Sequence, residues 1–274
     1  MTTLHHASPI RIEPITNPDD FTRCFSIAAS AFGTQTADGI WTAFNPGWDT
    51  PEGQVSGAAR LQRRWAGTTV DHAGNANTVF LKATIPAADD ESASGSAAGA
   101  DGSASGGEVI AGLAIWVQLS TVEGHGIVRR AGQDAVEKSE LDALYPNDQS
   151  AQDFLRQAMK SLTKQRVGAV EDAAERDPPA IMALDLCAVA PEFQRRGIAG
   201  ELVKWGLEEA RRRGGLEAVT EASTSGRTVY ARLGFAQEGP EIVLDGSFTD
   251  RVWPSNVFMR TGRSGIETGR GRGR

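Results

Sequence analysis

A stretch of seven residues that joins a predicted buried strand to a predicted helix has the composition of an anion-binding turn. It runs from Gln194 to Gly200 and reads Gln-Arg-Arg-Gly-Ile-Ala-Gly. The N–H groups at the start of a helix have no partner within the helix, and the helix dipole favours negative charge there. Gly197 lets the backbone approach a ligand closely, and Ala199 keeps the next turn narrow. We therefore predict a pyrophosphate cradle that lacks the lysine of a P-loop.

A carboxylate lies in the strand that precedes this turn. Asp185 stands within the apolar run from Ile181 to Val189. Strand alternation predicts that Asp185 shares one face with Ala183 and Cys187, while the residues between them face the opposite way. A buried carboxylate is costly unless it has a partner. Asp185 can take a proton from an incoming ammonium or bind that ammonium, or it can pair with an arginine or a backbone group. The residues alone leave these alternatives open.

The elements that would position these residues alternate between strand and helix patterns. Strands are predicted at 10–15, 78–85, 109–119, 181–189, 217–222, 241–244 and 257–260. Helices are predicted from residue 17, at 55–65, within 120–179, at 198–213 and at 226–233. The strands at 78–85 and 109–119 are expected to form a hairpin. Its tip, residues 86–107, is mostly Ala, Ser, Gly and Asp, so we predict that it is flexible.

Composition excludes several classes of protein. The chain has 274 residues, with 28 Lys and Arg against 35 Asp and Glu, a net charge of −7. This balance argues against a nucleic-acid partner. No apolar run approaches the roughly 18 residues of a membrane span, and no signal peptide opens the chain, so we expect a cytoplasmic protein. With only two cysteines and four histidines, neither a disulfide framework nor a metal site is predicted.

Aromatic residues offer a weaker indication of a binding site. Trp41, Phe44, Trp48 and Trp116 could line a pocket for a second substrate. Apolar packing is the better interpretation for these four side chains. A dinucleotide-binding fold is disfavoured, because the glycine-rich turn follows a late strand and lacks Gly-x-Gly-x-x-Gly.

Two motifs together resemble one family. The run LDLCAVAPEFQRRGIA, residues 184–199, resembles the acetyl-CoA-binding motif of the GNAT superfamily of N-acetyltransferases. About thirty residues later, VYARLGF at 229–235 is similar to the downstream Leu-Tyr-x-x-Leu-Gly-Phe element of that family. The chain departs from the family pattern through insertions at 86–107 and 120–179. It also carries Ser223 where many members have asparagine.

The resemblance implies roles for particular residues. In the family the motif strand separates from its neighbour, so backbone groups of Cys187, Ala188 and Val189 would bind the pantetheine arm and the thioester oxygen. Tyr230 aligns with the tyrosine that protonates the departing CoA thiolate, a role that suits a phenol; its alternative is a core tyrosine. Asp185 would face the substrate, where the family's general bases lie. The other cofactor-binding residues implied are Gln194, Arg195, Arg196, Gly197, Ile198, Ala199, Gly200 and Ser223.

The implied fold is α/β, a mixed, largely antiparallel central sheet with helices on both faces. One domain would span 10–261, after an N-terminal extension (1–9) and before a disordered Gly/Arg tail (262–274). The expected function is transfer of an acetyl group from acetyl-CoA to a primary amine, of a small molecule, by direct attack in a ternary complex without a metal. The alternatives are a protein or peptide N-acetyltransferase and a non-catalytic acyl-CoA-binding protein. A small amine needs a closed pocket and a peptide an open groove, so the position of 120–179 separates the first two.

Overall fold

Apolar strands separated by polar and glycine-rich turns form one sheet in the computed structural model, which describes residues 10–87, 107–244, 248 and 253–262. Within these ranges the sheet has eight strands. The strands are β1 (Arg11–Pro14), β2 (Thr78–Pro86), β3 (Glu108–Ser120), β4 (Ile127–Val128), β5 (Ile181–Val189), β6 (Glu217–Ser223), β7 (Ala236–Glu241) and β8 (Asn256–Arg260). The helices are α1 (Asp20–Ala28), α2 (Gly39–Phe44), α3 (Pro51–Ala66), α4 (Lys138–Leu144), α5 (Gln149–Asp172), α6 (Ile198–Arg212) and α7 (Thr224–Arg232).

The strands follow the order β1-β2-β3-β5-β6-β8-β7, with β4 paired to β3. The pairs β5–β6 and β3–β4 are parallel, and the other pairs are antiparallel. The predicted hairpin is confirmed, since β2 and β3 pair from Thr78 opposite Val117 to Pro86 opposite Glu108. Most of its predicted flexible tip, 88–106, lies outside the described residues, as do 1–9 and 263–274. The mixed, largely antiparallel fold class is therefore confirmed.

Helices cover both faces of the sheet. On one face, Ile27 of α1 and Val170 of α5 pack with Ala183 of β5, and α3 packs against the same cluster. On the other face, Leu202 of α6 packs with Leu184 of β5, together with Tyr230 of α7. No helix in the described part of the chain is long and apolar enough to cross a membrane.

One local prediction is wrong, and two helical segments were not predicted. The last hairpin uses β7 at Ala236–Glu241 rather than 241–244, because an edge strand with exposed side chains needs no apolar pattern. A π-helical segment, Ala29–Gln35, continues α1 and was not predicted. The short helix α2 was also missed, although Asp38 caps it by accepting from the N–H groups of Ile40 and Trp41 at 3.0 and 2.9 Å.

Candidate active site

The site begins where β5 and β6 separate. Their parallel pairing runs from Ile181 opposite Glu217 to Leu184 opposite Thr220. The Thr220 hydroxyl donates to the Leu184 carbonyl at 3.0 Å at this last pair. Beyond it, β5 keeps its pairing with β3, and β6 keeps its pairing with β8. A gap therefore opens between residues 185–189 and 221–223.

A β-bulge in β5 coincides with the start of this gap. Trp116 of β3 lies opposite Leu184, and the next residue of β3, Ile115, lies opposite Leu186, so Asp185 is the extra residue. The bulge shifts the alternation of the strand. Cys187 therefore packs on the α6–α7 face, whereas Ala183 packs on the α1–α5 face. The prediction that Ala183, Asp185 and Cys187 share one face is wrong for Cys187.

The edge of β5 that faces the gap carries backbone hydrogen-bonding groups. The Ala190 N–H donates to the Ala111 carbonyl of the β3 chain at 2.9 Å. Backbone groups alternate along an antiparallel strand, so those of Cys187 and Val189 point away from β3 and towards the gap. The Val189 carbonyl accepts there from the Gln194 side chain at 3.0 Å. These are the strand positions from which a substrate amide can be bound like an added strand.

The turn before α6 has the geometry of an anion cradle. Gly197 is the residue that caps α6 and has φ of +87°, with no atom within 4 Å of the place where a Cβ would stand. Arg195 also has a positive φ, +65°. Among the backbone hydrogen bonds of the described residues, none has an N–H group of Arg195 to Gly200 as donor; the first donor is Glu201, to the Gly197 carbonyl at 3.1 Å. These six N–H groups thus have no main-chain acceptor in the described part of the chain, which is the condition of N–H groups at a helix start that can bind an anion.

A cavity of about 950 Å³ passes through the gap between the strands. It is lined on the α6–α7 face by Cys187 and Tyr230, and on the other by residues of α1 to α3 that include Trp41. The region 120–179 supplies a further wall, through 129–136 and α5. Its size lies within the range of small-molecule sites. Of the predicted cofactor-binding residues, Cys187 and Ser223 line this cavity, whereas Ala188, Val189 and the cradle Gln194 to Gly200 do not.

Tyr230 lies at the α7 side of the cavity and is 8 % exposed. Its ring packs on Gly226, where a Cβ would come within 2.5 Å of the ring, and against Phe235 with centroids 5.9 Å apart. Burial raises the pKa of the Tyr230 phenol well above its usual value, with a smaller contribution from Cys187. The hydroxyl is therefore protonated throughout the physiological range, as a proton donor must be. Burial also raises the pKa of the Cys187 thiol to about 12, so this group is a neutral thiol.

Asp185 is held between two arginines. Its Oδ2 accepts from Arg64 of α3 at 2.7 Å, and its Oδ1 accepts from Arg166 of α5 at 2.8 Å. Arg166 also pairs with Glu221 of β6, through Nε at 3.1 Å and through Nη2. Burial alone would raise the pKa of Asp185, but the two guanidinium groups outweigh it and hold that pKa well below its usual range. This geometry favours the ion-pair alternative for Asp185, because a carboxylate with a lowered pKa is a weak base.

Sequence reasoning missed Arg64, Arg166 and Glu221. The sequence gives one indirect signal for them, the carboxylate Asp185 in an apolar strand. A buried carboxylate needs a partner, but the sequence does not show which residues supply it. The four aromatic residues divide between the two interpretations. Trp41 and Phe44 line the cavity, whereas Trp116 is fully buried against α6. Trp48 packs on Trp41, with ring centroids 6.1 Å apart, behind the cavity wall. Within the described ranges, no group of three His, Cys, Asp or Glu side chains could hold a metal ion.

The chain was compared with protein families and with solved structures. Residues 130–249 match the model of the acetyltransferase (GNAT) domain. The chain is similar to the solved structure of a Drosophila melanogaster polyamine N-acetyltransferase, at 10 % identity and a TM-score of 0.51, over 92 % of this chain and 98 % of that one. It is also similar to arylalkylamine N-acetyltransferase 2 of Aedes aegypti, at 18 % identity and a TM-score of 0.50, over 92 % and 97 %. No curated protein sequence matches the chain.

At these identities the two structures show the fold alone, and the family model supplies the class. The matched segment includes β5, the cradle and Tyr230, which are the parts on which the resemblance rests. The segment 130–249 therefore corresponds to a GNAT acetyltransferase domain, and on this match the chain is an acyltransferase.

Proposed function

We propose that this acyltransferase transfers an acetyl group from acetyl-CoA to the primary amine of a small molecule. The observation that carries the proposal is the cavity that passes through the gap between β5 and β6. It reaches from Tyr230 on the α6–α7 face to aromatic residues on the opposite face, while the cradle lies outside its lining. A donor and an acceptor entering from the two faces would meet at the gap, which is the arrangement that direct transfer in a ternary complex requires.

The donor half fits acetyl-CoA. Six N–H groups at the start of α6 and the open space at Gly197 suit a pyrophosphate. The gap-facing backbone of Cys187 and Val189 suits the amide groups of a pantetheine arm. Acetyl-CoA would supply the acetyl group as an activated thioester. An N–H of this β5 edge would stabilise the negative charge that develops on the thioester oxygen.

The acceptor half favours a small amine over a peptide. Residues 129–136 and α5 line the cavity, which favours a walled pocket for a small amine over an open groove for a peptide. Trp41 packs with Phe25 and Phe32, with ring centroids 5.7 and 5.9 Å apart, and the three rings give an apolar patch to a lining that also holds many charged side chains. An arylalkylamine, the substrate class in the name of the Aedes aegypti enzyme, suits such a patch better than a polyamine, the class in the name of the Drosophila melanogaster enzyme.

In the proposed reaction the unprotonated amine attacks the thioester carbon directly, because no activated serine or cysteine nucleophile is present among the described residues of the cavity. The new C–N bond forms, and the C–S bond breaks. Tyr230 donates its proton to the departing thiolate. The amine loses a proton to cavity water or to Asp185, and the phenol regains a proton from solvent. The products are an N-acetyl amine and CoA with a free thiol.

The test is a panel assay with acetyl-CoA in which the free thiol of CoA is followed with a chromogenic disulfide. The panel holds an arylalkylamine, a polyamine and a peptide with a free amino terminus. We expect turnover with the arylalkylamine to exceed that with the other two. Turnover with the peptide alone would support the protein-acetylating alternative. Binding of acetyl-CoA without turnover on any amine would support the non-catalytic one.

A further inference from the structure

We propose that Arg166 is a positioning residue that holds β5 and β6 at their working separation where backbone pairing ends. The inference rests on the proposed function, since the separation matters only if the gap holds the reacting groups. It also gives the region 120–179, which contains α5, a part in the reaction beyond lining the cavity.

The position of the two carboxylates carries the proposal. Asp185 and Glu221 are each the first residue beyond the last β5–β6 pair, Leu184 opposite Thr220. Arg166 is 11 % exposed and bonds to both carboxylates, at 2.8 Å to Asp185 Oδ1 and at 3.1 Å to Glu221 Oε1. One guanidinium therefore joins the two strands at the level where main-chain hydrogen bonds no longer do.

The chemistry of the three groups explains why an arginine is needed there. Two carboxylates on neighbouring strands repel each other, and burial strengthens the repulsion. A guanidinium offers several N–H donors in a rigid plane, so it fixes the distance between two carboxylates as well as neutralising them. Arg64 also bonds to Asp185, at 2.7 Å. This second ion pair keeps the carboxylate of Asp185 from moving together with Arg166.

The separation of the strands decides where the β5 edge lies. Cys187 is two residues beyond Asp185, and its backbone faces the gap. A change in the separation would move this edge relative to Tyr230 on α7. The cradle at the start of α6 bonds to neither Arg166 nor its partners among the described residues. Loss of Arg166 should therefore lower kcat and leave the affinity for acetyl-CoA nearly unchanged.

Arg166→Lys tests the geometry apart from the charge, because lysine supplies a cation without the planar fork. We expect a folded protein with acetyl-CoA affinity within about twofold of the wild type and kcat lower by about 10- to 100-fold, since a misplacement of about 1 Å costs up to that factor. The matched control is Arg176→Lys. Arg176 pairs with the buried Glu217 at the other, paired end of β6, at 2.7 Å. We expect its kcat to be unchanged.

A second variant keeps the proposal falsifiable if Arg166→Lys misfolds. In Arg166→Met combined with Glu221→Gln, Asp185 keeps its ion pair with Arg64, so no carboxylate of the cluster is left unpaired. If Arg166 only neutralises charge, this double variant has wild-type kcat, and the proposal is overturned. If Arg166 sets the separation, kcat stays low although the protein is folded.

Hydrogen exchange separates a failure of this proposal from a failure of the proposed function. The double variant should exchange the amides of 185–189 and 221–223 faster than the wild type, with no change at 181–184. This result needs no turnover, so it can be obtained even if no amine is acetylated. Unchanged exchange at 185–189 would overturn the role of Arg166 whatever the panel assay shows. If the wild-type enzyme acetylates an amine and Arg166→Lys has the same kcat, the role of Arg166 is overturned and the proposed function stands.

Discussion

Two buried arginine–carboxylate clusters lie on β6, one in the half that pairs with β5 and one in the half that has separated from it. In the paired half, Glu217 accepts from Arg176 at 2.7 Å and from Arg260 at 2.6 and 2.8 Å. In the separated half, the single arginine that pairs with Glu221 within the described part of the chain is Arg166, which it shares with Asp185. The two glutamate side chains are almost equally buried, at 1 % and 4 % exposed.

The clusters differ in the number of cations that each glutamate has and in the depth of the carboxylate, which is greater at Glu221. Burial raises the pKa of a carboxylate in both places. At Glu217 the two arginines outweigh burial and lower the pKa. At Glu221 the shared arginine does not outweigh it, and the pKa is raised. The cluster in the paired half is therefore held by two arginines. The geometry of the cluster in the separated half depends on one side chain in the cavity wall.

The largest effect of a change in the separated half is expected for Tyr230→Phe. The hydroxyl is needed when charge develops on the departing thiolate, which is after both substrates are bound. We expect kcat to fall by about 10²- to 10⁴-fold, the usual contribution of a general acid. The affinity for acetyl-CoA, measured by calorimetry, should not change, because an interaction made in the transition state does not affect ground-state binding.

The chain offers a matched control in its second tyrosine, Tyr145. Its hydroxyl donates to the Ala43 carbonyl at 2.9 Å, and the residue does not line the cavity. Tyr145→Phe should lower the free energy of unfolding by about 1 kcal/mol and leave kcat as it is. If Tyr230→Phe keeps wild-type kcat under conditions where acetyl transfer is rate-limiting, Tyr230 is a packing residue.

In the paired half we expect the opposite of Tyr230→Phe, a loss of stability without a loss of kcat. Glu217→Gln leaves Arg176 and Arg260 beside a neutral amide in a buried site. We expect the free energy of unfolding, from urea denaturation, to fall by about 3 kcal/mol, near the lower end for breaking a buried pair. At a temperature where the variant is folded, kcat should equal that of the wild type. A large loss of kcat in the folded variant would show that the two halves are not independent.

The cradle provides a test of the donor side without any step of the reaction. Gly197→Trp should place an indole over the N–H groups at the start of α6 and prevent binding. At a concentration of a hundred times Kd, acetyl-CoA stabilises a protein by about 2.7 kcal/mol, and we expect the variant to lose this stabilisation. Gly74→Trp is the matched control, since Gly74 also has a positive φ, +80°, and open space around it. An unchanged thermal shift in folded Gly197→Trp would contradict the cradle.

The strand, turn and helix around Gly197 could be predicted from the sequence because they depend on residues that are close together in the chain. A strand, a glycine and an amphipathic helix within about thirty residues are sufficient to place a helix N-terminus at the end of a strand. The cluster around Asp185 could not be predicted in this way. Arg166 is 19 residues from Asp185 and 55 from Glu221, and Arg64 is 121 residues from Asp185. The packing of α3 and α5 on the sheet determines which residues come together around Asp185.

The bulge in β5 limited the prediction for a related reason. Alternation of side chains along a strand holds only while each residue has one partner. At Asp185 the strand has one residue more than β3 opposite it, and the apolar pattern on both sides of Asp185 does not record this. The prediction from the sequence was therefore correct in placing Asp185 in a strand and wrong in placing it on the same face as Cys187. Nothing in residues 181–189 alone distinguishes the two arrangements.

Asp185→Asn gives the smallest expected effect and separates the two alternatives for that carboxylate. Because the pKa of Asp185 is lower in the folded protein than the ordinary value of about 3.9, its charge stabilises the fold above that pH, and the stabilisation is lost as the pH falls through the folded pKa. We expect the variant to be less stable than the wild type by about 1.5–3 kcal/mol at pH 7. The difference should decrease steadily below pH 4. A difference that is constant from pH 7 to pH 2 would contradict the ion pair.

The pH profile of kcat in the same variant tests the role of Asp185 in the reaction. If Asp185 accepts the proton of the amine, activity in Asp185→Asn is low at pH 7 and recovers at high pH, where free amine accumulates. If Asp185 serves the ion pairs with Arg64 and Arg166, kcat is lowered by the same factor at every pH. The lowered pKa of the carboxylate makes the second result the expected one. Recovery at high pH would restore Asp185 as the base and would assign Arg166 the task of tuning it.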